Sequence, residues 1–266
     1  MLEFYIIWFI IGFGVNGENG ISYAVVAELR ITSRKGFIGG IMQGFYALGA
    51  LLGAVTATFA TFKTLFLIAG LISLLSFAFY PFIPEERVRS NEINSRFLDV
   101  FSPTLLRITI LGSIVSLSSF LFIIPTFELI PTILKNDELI AIGDILAVFS
   151  FAISGYLSDI KGRKFSAVVF GVLAIVSSLA FIVYKLAALA LFFSSAFFAF
   201  FGVWLSELYP VSVRGTGSNF ALLIGRLIGG GFGTLIISII PLPLRLSLAI
   251  ALITTSVIST IGMSLL

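Results

Sequence analysis

The chain contains no cysteine and no histidine. Their absence excludes disulfide scaffolds, Cys₂His₂-type zinc sites, thiol nucleophiles and histidine general bases. Charge is scarce as well. Of 266 residues 11% are Asp, Glu, Lys or Arg, where a soluble domain carries about 25%. Apolar residues take their place, at 59% of the chain and a mean hydropathy of +1.15. An ordinary cytosolic globular protein is excluded. The net charge of +3 comes from sixteen Lys and Arg dispersed along the sequence. Dispersed charge makes no nucleic-acid face, so the basic residues read as membrane orientation signals and the expected surroundings are a lipid bilayer.

A spanning helix needs about 20 mostly apolar residues. Runs free of charge cover 36–62, 64–84, 108–127, 165–184, 186–206 and 246–266. Three further spans, 4–27, 139–158 and 215–244, each tolerate one ionisable residue: Glu18, Asp144 and Arg226. The expectation is an all-α polytopic membrane protein with nine transmembrane helices. All eight prolines fall at or near the predicted helix ends, as punctuation should. Residues 1–20 do not read as a signal peptide, because Glu3 stands in the leading region and no small-residue cleavage site follows.

The one charged linker, 84–102, carries three basic and four acidic residues. It separates an incomplete N-terminal half of three helices, 1–83, from a six-helix half, 103–266. Lys and Arg outside the spans divide eleven to four between the two faces. The positive-inside rule makes the richer face cytoplasmic, which puts the N-terminus outside and the C-terminus inside a cell membrane.

An internal repeat follows. Residues 27–36 read AELRITSRKG and residues 206–215 read SELYPVSVRG, an offset of 179. Glu28 matches Glu207, Gly36 matches Gly215, and Lys35 matches Arg214 in charge. Two six-helix halves related by an axis along the membrane normal produce such a pattern. With the second half beginning near 103, the offset places the start of the first near −76, so nine of twelve helices are expected in this chain.

Residues 155–164 read GYLSDIKGRK: a tight Gly-containing turn, an acid placed to cap the next helix, and a basic cluster. On its spacing, G-x-L-x-D-x-x-G-R-K, the chain resembles the major facilitator superfamily of secondary transporters. Gly155, Asp159, Gly162, Arg163 and Lys164 match that signature. SELYPVSVRG resembles the E-x-x-P-x-x-x-R-G signature of the sugar-porter and metabolite–proton symporter branches, and IPEERVRS (83–90) resembles a degraded PESPR. Two departures matter. Ile31 replaces the proline in the first copy, and RITILGSIVSLSSFLFI lacks the glutamine pair of sugar porters.

The resemblance covers the whole chain as the family's fourth to twelfth helices. It implies a monomeric transporter of a small organic solute, coupled to protons, whose halves rock around a cavity lined by the first, fourth and seventh helices of this chain. That choice puts Glu18, Ser116 and Trp204 near the substrate. It also makes Glu28, Lys35, Glu207 and Arg214, with the loop Asp159–Lys164, a cytoplasmic gate. Glu28 is expected to rely on Arg34 or Lys35, and Glu207 to join Arg163 and Arg214. The other readings are a truncated, non-transporting relic or a transporter-like scaffold or sensor. An intramembrane enzyme lacks His, Cys and a G-x-S-x-G nucleophile turn.

Residues 12–17, GFGVNG, fit G-x-G-x-x-G, but a dinucleotide site needs a soluble βαβ unit and an acid about 20 residues on. Glu28 comes too early, so no cofactor is expected. Gly12, Asn16, Gly20 and Ala24, like Gly225, Gly229 and Gly233, form small-residue stripes that bring helices close in lipid. An ionisable group inside a span costs at least about 2.5–3.5 kcal/mol. Glu18, beside Asn16, therefore reads as a proton-coupling acid or a site for a cationic group, and Arg226 as a site for an anionic group or for Glu18 itself, the plainer alternative being a satisfied structural pair. Asp144, nearer the surface, reads as a pathway residue or a snorkelling one. Ser113, Ser116 and Ser119 share one face, which lines a polar cavity or bonds its own backbone.

Overall fold

The computed structural model describes residues 2–28, 33–79 and 96–266. Among these there is no strand. Nine helical segments follow one another: α1 (Leu2–Glu28), α2 (Lys35–Ala57), α3 (Phe62–Phe79), α4 (Leu106–Leu134), α5 (Asp137–Ile160), α6 (Arg163–Val183), α7 (Lys185–Leu208), α8 (Arg214–Ile239) and α9 (Leu244–Leu265). Seven of them, α2 and α4–α9, are long and apolar enough to cross a bilayer, and α3 holds a shorter apolar stretch, Phe62–Leu75. At about 1.5 Å per residue, 27-residue α1 is long enough as well. The protein is an all-α polytopic membrane protein.

The sequence boundaries shift in two places. α2 ends at Ala57, short of the expected 62, in a turn where Thr58 Oγ1 donates to the Val55 carbonyl at 2.7 Å. α4 runs on to Leu134, seven residues past its expected end, with Pro125 and Pro131 inside it. Those two prolines are not punctuation. Proline is tolerated inside a membrane helix where neighbouring groups re-satisfy the freed backbone.

Packing uses small residues and aromatic rings, because in lipid there is little hydrophobic drive between helices. A Cβ on Gly40 of α2 would lie 2.3 Å from the Phe151 carbonyl of α5, and one on Gly155 of α5 would lie 2.3 Å from the Gly36 carbonyl. The two backbones touch. Gly225 and Gly229 of α8 approach α4 as closely, with Cβ positions 2.6 Å from Ser116 Oγ and from the Leu117 carbonyl. The stripe on α1 differs. Gly20 receives the Asn219 side chain, whereas Gly12 has open space around it.

The most buried span is α7. Phe192, Phe197, Phe200 and Phe201 are wholly buried. Phe192, Phe197 and Phe198 meet Phe127, Phe122 and Phe120 of α4 edge-on at 5.0–5.2 Å. Each such pair adds about 0.5–1.5 kcal/mol beyond area burial. α9 is tied to α4 by Ser259, whose hydroxyl lies 2.7 Å from Ser118 and 3.1 Å from Ser119.

Several cations read above as orientation signals also satisfy helix C-termini. Lys185 Nζ donates to the Leu134 carbonyl (3.0 Å), Lys164 Nζ to Ser264 (3.1 Å) and Arg107 to Leu265 (3.1 Å). A helix end leaves four carbonyls without partners, and a cation there also complements the dipole. Of the linker 84–102, residues 84–95 and with them the PESPR-like sequence 83–90 lie outside the described residues. The remainder is docked. Phe97–Phe101 forms a 3₁₀ turn whose Val100 is fully buried and whose two phenylalanines pack edge-on against Phe220.

Candidate transport cavity and its ion-pair face

The end of α1, the start of α2 and the α5–α6 and α7–α8 connections meet at one end of the bundle. Gly162 takes φ +97° there, a left-handed value that lets α5 turn directly into α6. Asp159, at the end of α5, does not cap the helix that follows it. Its two oxygens accept the backbone N–H groups of Gly36 and Phe37 at 2.8 Å each, capping α2 from another part of the chain. Arg163 donates to Asp159 (2.6 Å) and grips Glu207 with two bonds, 3.1 Å from Nε and 3.0 Å from Nη2. A planar guanidinium suits that paired geometry.

Arg214 does not join Glu207. It pairs with Glu28 at 3.2 Å, so Glu28 has a partner from the last six helices and does not depend on Arg34 or Lys35 alone. Lys35 donates instead to the Ala27 carbonyl, and Arg214 Nε to the Ser206 carbonyl at 2.9 Å. Both donors and both acceptors are related by the offset of 179, so the repeat has a structural counterpart. Residues 29–32 of the first copy, Ile31 among them, lie outside the described residues. Lys164 caps α9 and takes no part in this network.

Away from that face a cavity of about 950 Å³ opens among α1, α2, α4 and α8. Its polar lining comprises Glu18, Asn19, Ser22 and Tyr23 of α1, Gln43 and Tyr46 of α2, Glu128 of α4 and Arg226 of α8. Glu18 stands ten residues from Glu28, about 15 Å along the helix, and accepts a hydrogen bond from Ser22 Oγ at 2.7 Å. Arg226 lies in the π-helical turn Gly225–Gly230 of α8, a wide turn frequent at functional sites. Its guanidinium sits 5.3 Å over the Phe120 ring and donates to the Val15 carbonyl at 3.3 Å. Glu18 and Arg226 share the cavity without an ion pair within 4 Å.

Other expected residues lie elsewhere. Ser116 is fully buried against Gly225, its hydroxyl without a partner among the described residues, and is absent from the cavity wall. Trp204 packs on Phe200 and Phe201 inside α7, which contributes no lining residue, while α2 and α8 do. Asp144 is 2% exposed in α5, neither snorkelling nor facing the cavity. The helix of Asn16 is described, but its side chain lies outside the described ones.

Two cavity features escape the sequence reading. Glu128 falls one residue past the end of the apolar run 108–127, and it accepts a hydrogen bond from Thr234 Oγ1 at 2.6 Å. Gln43, the amide inside the run 36–62, accepts from the Tyr23 hydroxyl at 2.7 Å. A polar residue inside an otherwise apolar run was the signal available for Gln43. Among the described residues no group of three acidic side chains converges as metal ligands do.

Apolar spans packed around a largely apolar cavity that holds a few polar and charged side chains, and tied together at one end by ion pairs, make a polytopic membrane protein. The chain belongs to the major facilitator superfamily, whose profile matches residues 1–234. Over 250 residues it is 26% identical to the protein named as a 4-methylmuconolactone transporter in Cupriavidus pinatubonensis, covering 83% of this chain and 58% of that one. Over 260 residues it is 26% identical to NiaP of Bacillus subtilis, named as a niacin/nicotinamide transporter, covering 88% and 64% respectively. The chain spans less than two thirds of the length of either relative.

Proposed function

We propose that the protein moves a small organic solute across the cell membrane by alternating access, with Glu18 carrying the coupling proton and Arg226 receiving an anionic group of the solute. The observation that carries this reading is the shared cavity. An acid from the first three helices and a guanidinium from the last six line it together, with no ion pair to either among the described residues, about 15 Å from the ion-pair face. An isolated intramembrane charge is expensive, so it is retained where it has a solute, a proton or a partner to meet.

In this reading the ion-pair face is cytoplasmic, with the N-terminus outside and the C-terminus inside, and the conformer is the one closed to the cytoplasm. Asp159, Arg163, Glu207, Arg214 and Glu28 must part for the solute to leave, and a two-state equilibrium follows which set of contacts is intact. The solutes named for the two relatives, 4-methylmuconolactone and niacin or nicotinamide, are the first to test. Purified protein in proteoliposomes is assayed for accumulation of each under an imposed pH gradient and for exchange without one. Glu18→Gln is expected to abolish gradient-driven accumulation while exchange persists. Accumulation by that variant with unaltered pH dependence removes Glu18 from the mechanism.

A further inference from the structure

We infer that Glu128 is a second proton-accepting group of the cavity, so that an anionic solute is loaded together with protons on two carboxylates rather than one. The inference rests on the transporter reading above and adds a residue to it.

Glu128 lies six residues inside the end of α4 at Leu134, about 9 Å by helical rise, and its exposed carboxylate lines the cavity wall. Phe120, the ring beneath Arg226, stands eight residues earlier on the same helix, about 12 Å inward. Ile123 and Ile124 form the wall between them. The groups facing this region are Thr234 and Arg226 from α8, Tyr46 from α2, and Glu18 and Tyr23 from α1. Asp144 of α5 is buried outside the cavity. Among the described residues only Thr234 bonds the Glu128 carboxylate, through one oxygen, and no cation lies within ion-pair distance.

Charge counting then constrains the loaded state. With both carboxylates ionised and Arg226 protonated, the lining carries one net negative charge. A monoanion seated at Arg226 raises this to two, inside walls that are largely hydrocarbon, where uncompensated charge is disfavoured. A proton on Glu18 restores only the empty-state charge. A second, on Glu128, makes the loaded cavity neutral. Glu18 and Glu128 also have the same local design, each carboxylate holding one hydroxyl donor and, among the described residues, no cation.

The proton alone serves as the probe. The full chain in lipid nanodiscs is titrated from about pH 9 to 4 while infrared difference spectra follow the protonated carboxyl C=O band. The wild type is expected to gain band intensity of which Glu128→Gln removes one part and Glu18→Gln a different part. Thr234→Val keeps the carboxylate but deletes its donor, so it is expected to shift the Glu128 contribution in frequency and to leave that of Glu18 in place. This variant also covers the case in which Glu128→Gln does not fold. A Glu128→Gln titration superimposable on the wild type, or a Thr234→Val spectrum identical to it, overturns the inference. A Glu18→Gln spectrum unchanged beside an altered Glu128→Gln spectrum defeats the role of Glu18 instead and leaves that of Glu128 standing.

Discussion

The two copies of the repeat, 27–36 and 206–215, use the same internal bond and different external partners. In each, a basic residue reaches back eight positions to a carbonyl at the end of the preceding helix, Lys35 to Ala27 and Arg214 to Ser206. The acids diverge. Glu207 receives a two-bond grip from Arg163 of the neighbouring loop, whereas Glu28 crosses to Arg214 through a single bond. The helix starts diverge too. α2 is capped by Asp159, and α8 begins at Val213 with no side-chain cap. A local sequence motif thus dictates its short-range bond, while its long-range partner depends on which loop the fold brings beside it.

The largest effect should come from the residue that serves both sides of this comparison. Asp159 is nearly buried, caps α2 and pairs with Arg163. Breaking a buried pair by removing one partner costs about 3–5 kcal/mol. Asp159→Ala is expected near the lower end, about 3 kcal/mol including the lost cap, read as a fall in thermal or SDS-induced unfolding stability. A loss below 1 kcal/mol would show that the cap across the chain adds little.

Next comes the helix contact beneath the network. Gly40→Ala puts a methyl group against the Phe151 backbone, where overpacking costs about 1–3 kcal/mol. Gly49→Ala and Gly53→Ala in the same helix meet open space and are expected to be neutral or slightly stabilising. Comparable losses at all three positions would argue against the α2–α5 contact.

The acids themselves should then separate. Arg163→Lys keeps the charge but loses the paired geometry on Glu207, at an expected cost of about 1–2 kcal/mol. Glu28→Gln removes a partly exposed single-bond pair, for which about 0.2–1 kcal/mol is usual. Reversal of this order in a common unfolding assay would mean that the two acids are more alike than their geometry.

The smallest effect concerns breathing. A smaller share of the described side chains is buried in α1–α3 than in α4–α9, so residues 2–28 and 35–79 should exchange amide protons and be nicked faster than residues 103–266. Equal protection in nanodiscs would break the comparison at its broadest.

Glu18 and Arg226 were legible because a charge inside an apolar run needs a reason, whichever way its helix faces. Glu128 obeys the same rule but ends the charge-free run 108–127, so the sequence puts it at a helix end that α4 passes through. Ser116 and Trp204 rest on helix number alone. Ser116 sits on the face of α4 that meets Gly225, turned from the cavity, whereas Trp204 belongs to α7, a helix with no residue in the lining, and packs there on Phe200 and Phe201.

The sequence by itself determined the solvent, the helical class, the order of the nine segments, with ends that shift by up to seven residues, and the short-range bonds of the repeat. Each depends on hydropathy, helix rise or spacing along one stretch of chain. The tertiary structure alone decided that Asp159 caps α2, that Arg214 answers Glu28, and that α2 and α8 rather than α7 line the cavity. Those outcomes depend on which helix faces touch. Touching faces are chosen by close-packed glycines and rings on several helices at once, and no single stretch of sequence holds that information.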